Sequence, residues 1–143
     1  MKSRTFATCI TGILIIALTV MAACSNPNSS GTETTIKSAK AGEMTVTLSN
    51  ASGNLKHGEN DLMITFTDAA GQPVDVGAAS LTFHMAAMGS MAEMNDKAAL
   101  TTTEIPGKYR AQANIQMAGT WEAQIKYQGA HGTGQTSMTV QAK

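Results

Sequence analysis

From Glu43 onward the chain alternates apolar and polar residues in short runs, and this period of two is what most restricts its fold. Met44, Val46 and Leu48 interleave with Thr45, Thr47 and Ser49. Leu62, Ile64 and Phe66 do the same with Met63, Thr65 and Thr67, and Leu81, Phe83 and Met85 with Thr82 and His84. Further runs cover Ala98 to Glu104, Tyr109 to Ile115, Trp121 to Tyr127 and Thr136 to Gln141. Successive side chains in a strand point to opposite faces, so each run presents one apolar face to a core. Turn residues punctuate them at Asn50–Asn60, Asp68–Pro73, Ile105–Gly107, Ala118-Gly119 and Gly129–Gly134, with Val74–Val76 as a short edge segment. About seven short strands with regular turns and no helical period predict a single antiparallel β-sandwich of immunoglobulin-like type. Trp121 belongs in or near its core.

The beginning of the chain has a different character. Lys2 and Arg4 precede an apolar run from Ile10 to Ala23, the layout of a secretory signal. That run is short for a membrane span, which needs about 20 residues. Leu18-Thr19-Val20-Met21-Ala22-Ala23-Cys24 resembles a bacterial lipobox, with Met21 where leucine is usual. Residues 1–23 are therefore expected to be a lipoprotein signal peptide, with Cys24 as the lipidated residue. Two or more acyl chains anchor a protein stably to a membrane. Residues 24–41, polar and poor in apolar groups, are expected to form a flexible tether, leaving 42–143 as the folded domain. The protein would then be extracytoplasmic, lipid-anchored to the cell membrane or outer membrane.

This organisation restricts the chemistry. The only cysteines are Cys9, in the signal, and Cys24. The domain has no thiol for a disulfide, a nucleophile or a thiolate metal site. Acidic and basic residues balance at 10 each, and no basic run occurs, so nucleic-acid binding has no electrostatic support. No nucleophile–base–acid set, phosphate loop or His-Glu-x-x-His run is visible, and the expectation is a non-enzyme.

The distinctive stretch is His84-Met85-Ala86-Ala87-Met88-Gly89-Ser90-Met91-Ala92-Glu93-Met94. Met85, Met88, Met91 and Met94 recur at every third position. Thioether sulfur is a soft, uncharged ligand suited to Cu(I), so one reading is a metal-binding loop. The other is a packing loop, since methionine fills irregular gaps in cores. Fully extended, Met85 to Met94 would span roughly 30 Å, so the segment must fold back for its sulfurs to share an ion. Gly89-Ser90 supplies loop chemistry for that, and a helical turn would also serve. Strand alternation puts His84 and Met85 on opposite faces. Met88, Met91 and Met94 are the first ligand candidates, Met85 and His84 the next, and Met117 a further one. Trp121 is expected to pack rather than cap an ion. Glu93 and Asp96 are expected to be solvated, as are His57 and His131.

Several short signatures in order resemble the FixH/YtkA-like family of extracytoplasmic domains. They are Gly58-Glu59-Asn60, then Asp68, Gly71 and Pro73-Val74, the Met-x-x-Met-x-x-Met stretch, Gly107-Lys108-Tyr109 and Met117-Ala118-Gly119-Thr120-Trp121. The resemblance covers roughly Glu43 to Ala142. It implies an immunoglobulin-like sandwich associated with copper handling, in the company of oxidase-assembly proteins, copper-exporting ATPases and metal-efflux adaptors. FixH carries a membrane helix where this chain has a lipoprotein-like leader, so an oxidase-assembly role does not transfer directly. Two function classes follow. One is a membrane-tethered protein that holds Cu(I) through the methionine loop for delivery to an efflux or oxidase-assembly protein. The other is an interaction module that docks such a partner through exposed methionines without metal.

Overall fold

The computed structural model describes residues 32–143. The signal segment 1–23, Cys24 and residues 25–31 of the expected tether lie outside them. Nine strands and no helix make up the described residues: β1 (Thr34–Ala41), β2 (Met44–Asn50), β3 (Gly58–Thr67), β4 (Ala78–Met85), β5 (Met94–Lys97), β6 (Ala99–Thr102), β7 (Lys108–Ile115), β8 (Gly119–Gly129) and β9 (Gly132–Ala142). They form a five-stranded sheet in the order β1-β2-β3-β7-β6 and a four-stranded sheet in the order β5-β4-β8-β9. Every pairing within the two sheets is antiparallel.

Without β1 and β5, the remaining strands run β2-β3-β7-β6 and β4-β8-β9. That is the ABED and CFG arrangement of an immunoglobulin-type sandwich. These are the strands that the alternating runs predict. The two additional ones differ from the rest for a physical reason. β1 leaves most side chains exposed, so it has no apolar period and is a strand only through its ladder to β2. It occupies residues expected to belong to the tether. β5 has four residues, and its buried position is an aspartate, so it too lacks the apolar signal.

The core lies between the sheets. Val46, Leu48, Ile64, Phe66, Leu81, Phe83, Trp121 and Ile125 are almost wholly withdrawn from water. Each large apolar side chain buried in this way contributes about 1.5–3 kcal/mol. Phe66 joins the sheets through edge-on contacts, at 5.8 Å to the Tyr109 ring and 5.6 Å to the Tyr127 ring. The Tyr109 hydroxyl donates to the Gly77 carbonyl at 2.7 Å, pinning the start of β4 to β7. At the end of β1, the Thr136 hydroxyl donates to the Lys40 carbonyl at 2.7 Å, linking the first strand to the opposite sheet.

The registers sort the connections to two ends. One end carries the start of β1, which pairs Thr34 with Asn50, and the β2–β3 loop. It also carries the β4–β5 and β7–β8 connections and the chain's end at Ala142, paired with Gly119. The other end carries the β1–β2 turn, the Asp68–Gly77 segment, the Ile105 turn and the His131 turn.

Burial, then the nearby Asp75 carboxylate, raise the Tyr109 pKa above the tyrosine value. A raised pKa favours the neutral phenol in the folded state. The resulting stabilisation is complete below the unfolded value, near pH 10, and is lost as pH climbs through the folded one. Urea unfolding should therefore show stability falling above about pH 10, a fall that Tyr109→Phe reduces. At neutral pH the same variant should cost about 1 kcal/mol, from loss of the bond to Gly77.

Candidate metal centre

The methionine stretch folds back as a β-hairpin rather than a helical turn. β4 and β5 are its arms, with Met85 opposite Met94. Beyond a break in the ladder, Met88 and Met91 pair again in the same register. Their backbones exchange two hydrogen bonds, at 3.1 and 2.9 Å. Gly89 and Ser90 form the tip, and Gly89 has φ 58°, the positive value that the first central position of a primed hairpin turn demands.

This register separates the methionines. Two residues stand between the pairs on each arm, so Met88 and Met91 take the opposite face from Met85 and Met94 in a continuous strand. Burial follows the same division: Met85 is 3% exposed, whereas Met91 is 40% and Met88 59% exposed. Met94 and Met117 are half-buried and pack against the core. The inner group is therefore Met85, Met94 and Met117, and the outer pair is Met88 and Met91.

Two contacts hold the inner group at the end of the sandwich. Asp96 is buried, and its carboxylate accepts from the Gln116 amide at 3.1 Å and from Gln116 Nε2 at 2.5 Å. It thereby clamps β5 to the segment that leads into Met117. Solvation was the expectation for Asp96. The four-residue strand turns it inward beside Met94, and a buried carboxylate has to find donors there. The Trp121 indole Nε1 donates to the Met117 carbonyl at 3.1 Å, so Trp121 packs in the core and fixes the β7–β8 turn. Gly119 in that turn has φ 144°, and a Cβ there would stand 3.0 Å from the Met85 methyl carbon. The turn backbone passes directly over Met85.

His84 stands apart from both groups. It is half-buried on the outward face of β4, opposite Asn95 on β5 and Glu122 on β8. Its Nδ1 lies 3.0 Å from Asn95 Oδ1. An amide oxygen only accepts, so in this arrangement Nδ1 is the donor. Hydrogen bonds from Ser137 and Gln124 hold the Glu122 carboxyl below its usual range, and the charge of His84 adds to this. His84 and Met88 are four positions apart, roughly 13 Å along an extended arm, so an extended hairpin does not gather them around one ion. His57 is exposed at the hairpin's end of the sandwich, and His131 is exposed at the other. Among the described residues no group of three or more His, Cys, Asp or Glu side chains is placed to hold a metal ion. A metal centre at the hairpin therefore depends on thioether sulfur.

The architecture is that of a small immunoglobulin-like domain with a methionine hairpin at one end. The chain belongs to the YtkA-like family, whose match covers residues 38–126. That span runs from within β1 into β8 and includes both methionine groups. Among solved structures the chain is similar to the ZirS C-terminal domain, with TM-score 0.43 and 13% identity over 100% of this chain and 87% of that one. The curated proteins include no match.

The division into inner and outer methionines has a direct consequence for stability. Met85→Ala should cost about 2–5 kcal/mol in urea unfolding, because it empties a packed site. Met88→Ala and Met91→Ala should each stay within about 0.5 kcal/mol of the parent, because both side chains face water.

Proposed function

We propose that this YtkA-like domain is an extracytoplasmic Cu(I)-binding protein, tethered to a membrane through acylated Cys24, that holds copper on its methionine hairpin for transfer to an efflux or oxidase-assembly partner. The observation that carries this reading is the pairing of Met88 with Met91 across a two-residue turn, with Met94 and Met117 half-buried at the same end of the domain. Neutral sulfur donors suit a soft monovalent ion and need lose no proton to bind it. The copper is cargo, and the domain has no catalytic role in this account. His84, with Nδ1 engaged by Asn95, presents the nitrogen arrangement that metal-binding imidazoles use. It would join the thioethers only if the hairpin arms bend at the break between the two methionine pairs.

The exposure of Met88 and Met91 supports a second reading, an adaptable docking surface that needs no metal. Competition titration separates the two. The domain should take up one Cu(I) against a chromophoric chelator. A Met88→Leu, Met91→Leu, Met94→Leu variant keeps the bulk but loses the sulfur, and should bind at least about tenfold more weakly, or about 1.4 kcal/mol. Affinity should be nearly flat between pH 5 and 8 if thioethers alone bind, whereas an imidazole ligand brings proton competition over that range. Failure of the parent domain to compete for Cu(I) would leave the docking surface as the function.

A further inference from the structure

The chain enters the folded domain at the methionine end. Thr34, the first residue of β1, pairs with Asn50 at the head of the β2–β3 loop. The Ser49 hydroxyl donates to the Glu33 carboxylate at 3.3 Å, fixing the residue before β1 to the same end. Thr34 also packs tightly against Gly53 of that loop, its methyl 2.6 Å from where a Cβ would lie. The loop continues through Leu55, which bridges to Ala142, and Ala142 pairs with Gly119 in the turn over Met85. A continuous set of contacts thus joins the point of chain entry to the methionine hairpin.

We infer that the hairpin end is the membrane-facing end of the domain, so that copper is exchanged with a protein embedded in the bilayer that holds the anchor. This rests on the proposed acylation of Cys24. The residues from Cys24 to Thr32 number nine and span at most about 32 Å. The strand β8, with 11 residues, runs about 36 Å from the hairpin end to the far end. To bring the far end to the bilayer, the connecting segment would have to run nearly straight along the whole domain. The anchor therefore keeps Met88 and Met91 near the headgroups and holds Ile105 and His131 away. A membrane-embedded acceptor opening on that surface is then within reach of the outer methionine pair.

The test uses the full lipidated chain in vesicles. With Cys24 acylated and Cys9 removed with the signal, single-cysteine variants can be labelled cleanly. Ser90→Cys places a donor fluorophore at the hairpin tip, and Ile105→Cys places one on the exposed turn at the other end. Energy transfer to a headgroup-labelled lipid should be at least about twofold higher from position 90, given the strand-length separation of the two ends. Equal transfer, or higher transfer from position 105, overturns the inference. Mass measurement of the same samples reports whether Cys24 carries acyl chains; without them the anchor, and the orientation with it, is refuted. Cu(I) titration of the unlabelled parent chain reads the metal reading separately. Intact copper binding with reversed transfer would refute the orientation alone.

Discussion

The register of the β4–β5 hairpin is the constraint on which the methionine-bearing end of this domain depends. A slip of one residue would exchange the faces of every side chain on one arm. Met85 would leave the core and Met88 would turn toward it. Three features oppose such a slip. Gly89 supplies the positive φ that places the turn between Met88 and Met91. Phe83 and Met85 fill core positions on β4. Asp96, on the other arm, is bound by both nitrogens of Gln116. The aspartate adds a polar anchor to that arm, because a slip there would turn it outward and forfeit both hydrogen bonds to Gln116.

The separation of the methionines gives the two groups different physical characters. Met85 lies under the β7–β8 turn and is part of the sandwich's packing, together with Trp121. Met88 and Met91 project from a turn with few neighbours, and their sulfurs are open to an ion or a partner. Met94 and Met117 lie between these extremes, packed against the core yet partly in contact with solvent. Uptake of a soft ion at the tip would therefore leave the core undisturbed. Exchange of such an ion would benefit from that arrangement, since its release would need no unfolding.

Much of the fold was legible from alternation alone. Met44 to Leu48, Leu62 to Phe66, Leu81 to Met85 and Trp121 to Tyr127 are all strands with the expected residues buried, except Met44, which is half-buried. The two strands without an apolar period were not legible. β1 buries almost nothing except Ala41, and its formation depends on backbone bonds to β2 that no side-chain pattern announces. β5 overlaps the methionine stretch only at Met94, and its one buried member is Asp96, so it carries no apolar period of its own. The fold-back about Gly89-Ser90 was legible from turn chemistry. The sorting into an inner and an outer group was not, since it depends on where the opposing arm sits. Asn95 beside His84 and Gln116 beside Asp96 are partners that only the fold brings together. A carboxylate beside the apolar Met94, at Asp96, is the one sign of such a clamp that the sequence itself carries.

The central claim is that thioether sulfur holds the cargo. X-ray absorption at the copper edge of the Cu(I)-loaded protein reads the ligand atoms directly. The account predicts a coordination shell dominated by sulfur, which in a domain without cysteine must come from methionine. A shell made only of nitrogen and oxygen would contradict it and remove the methionine hairpin from the binding site.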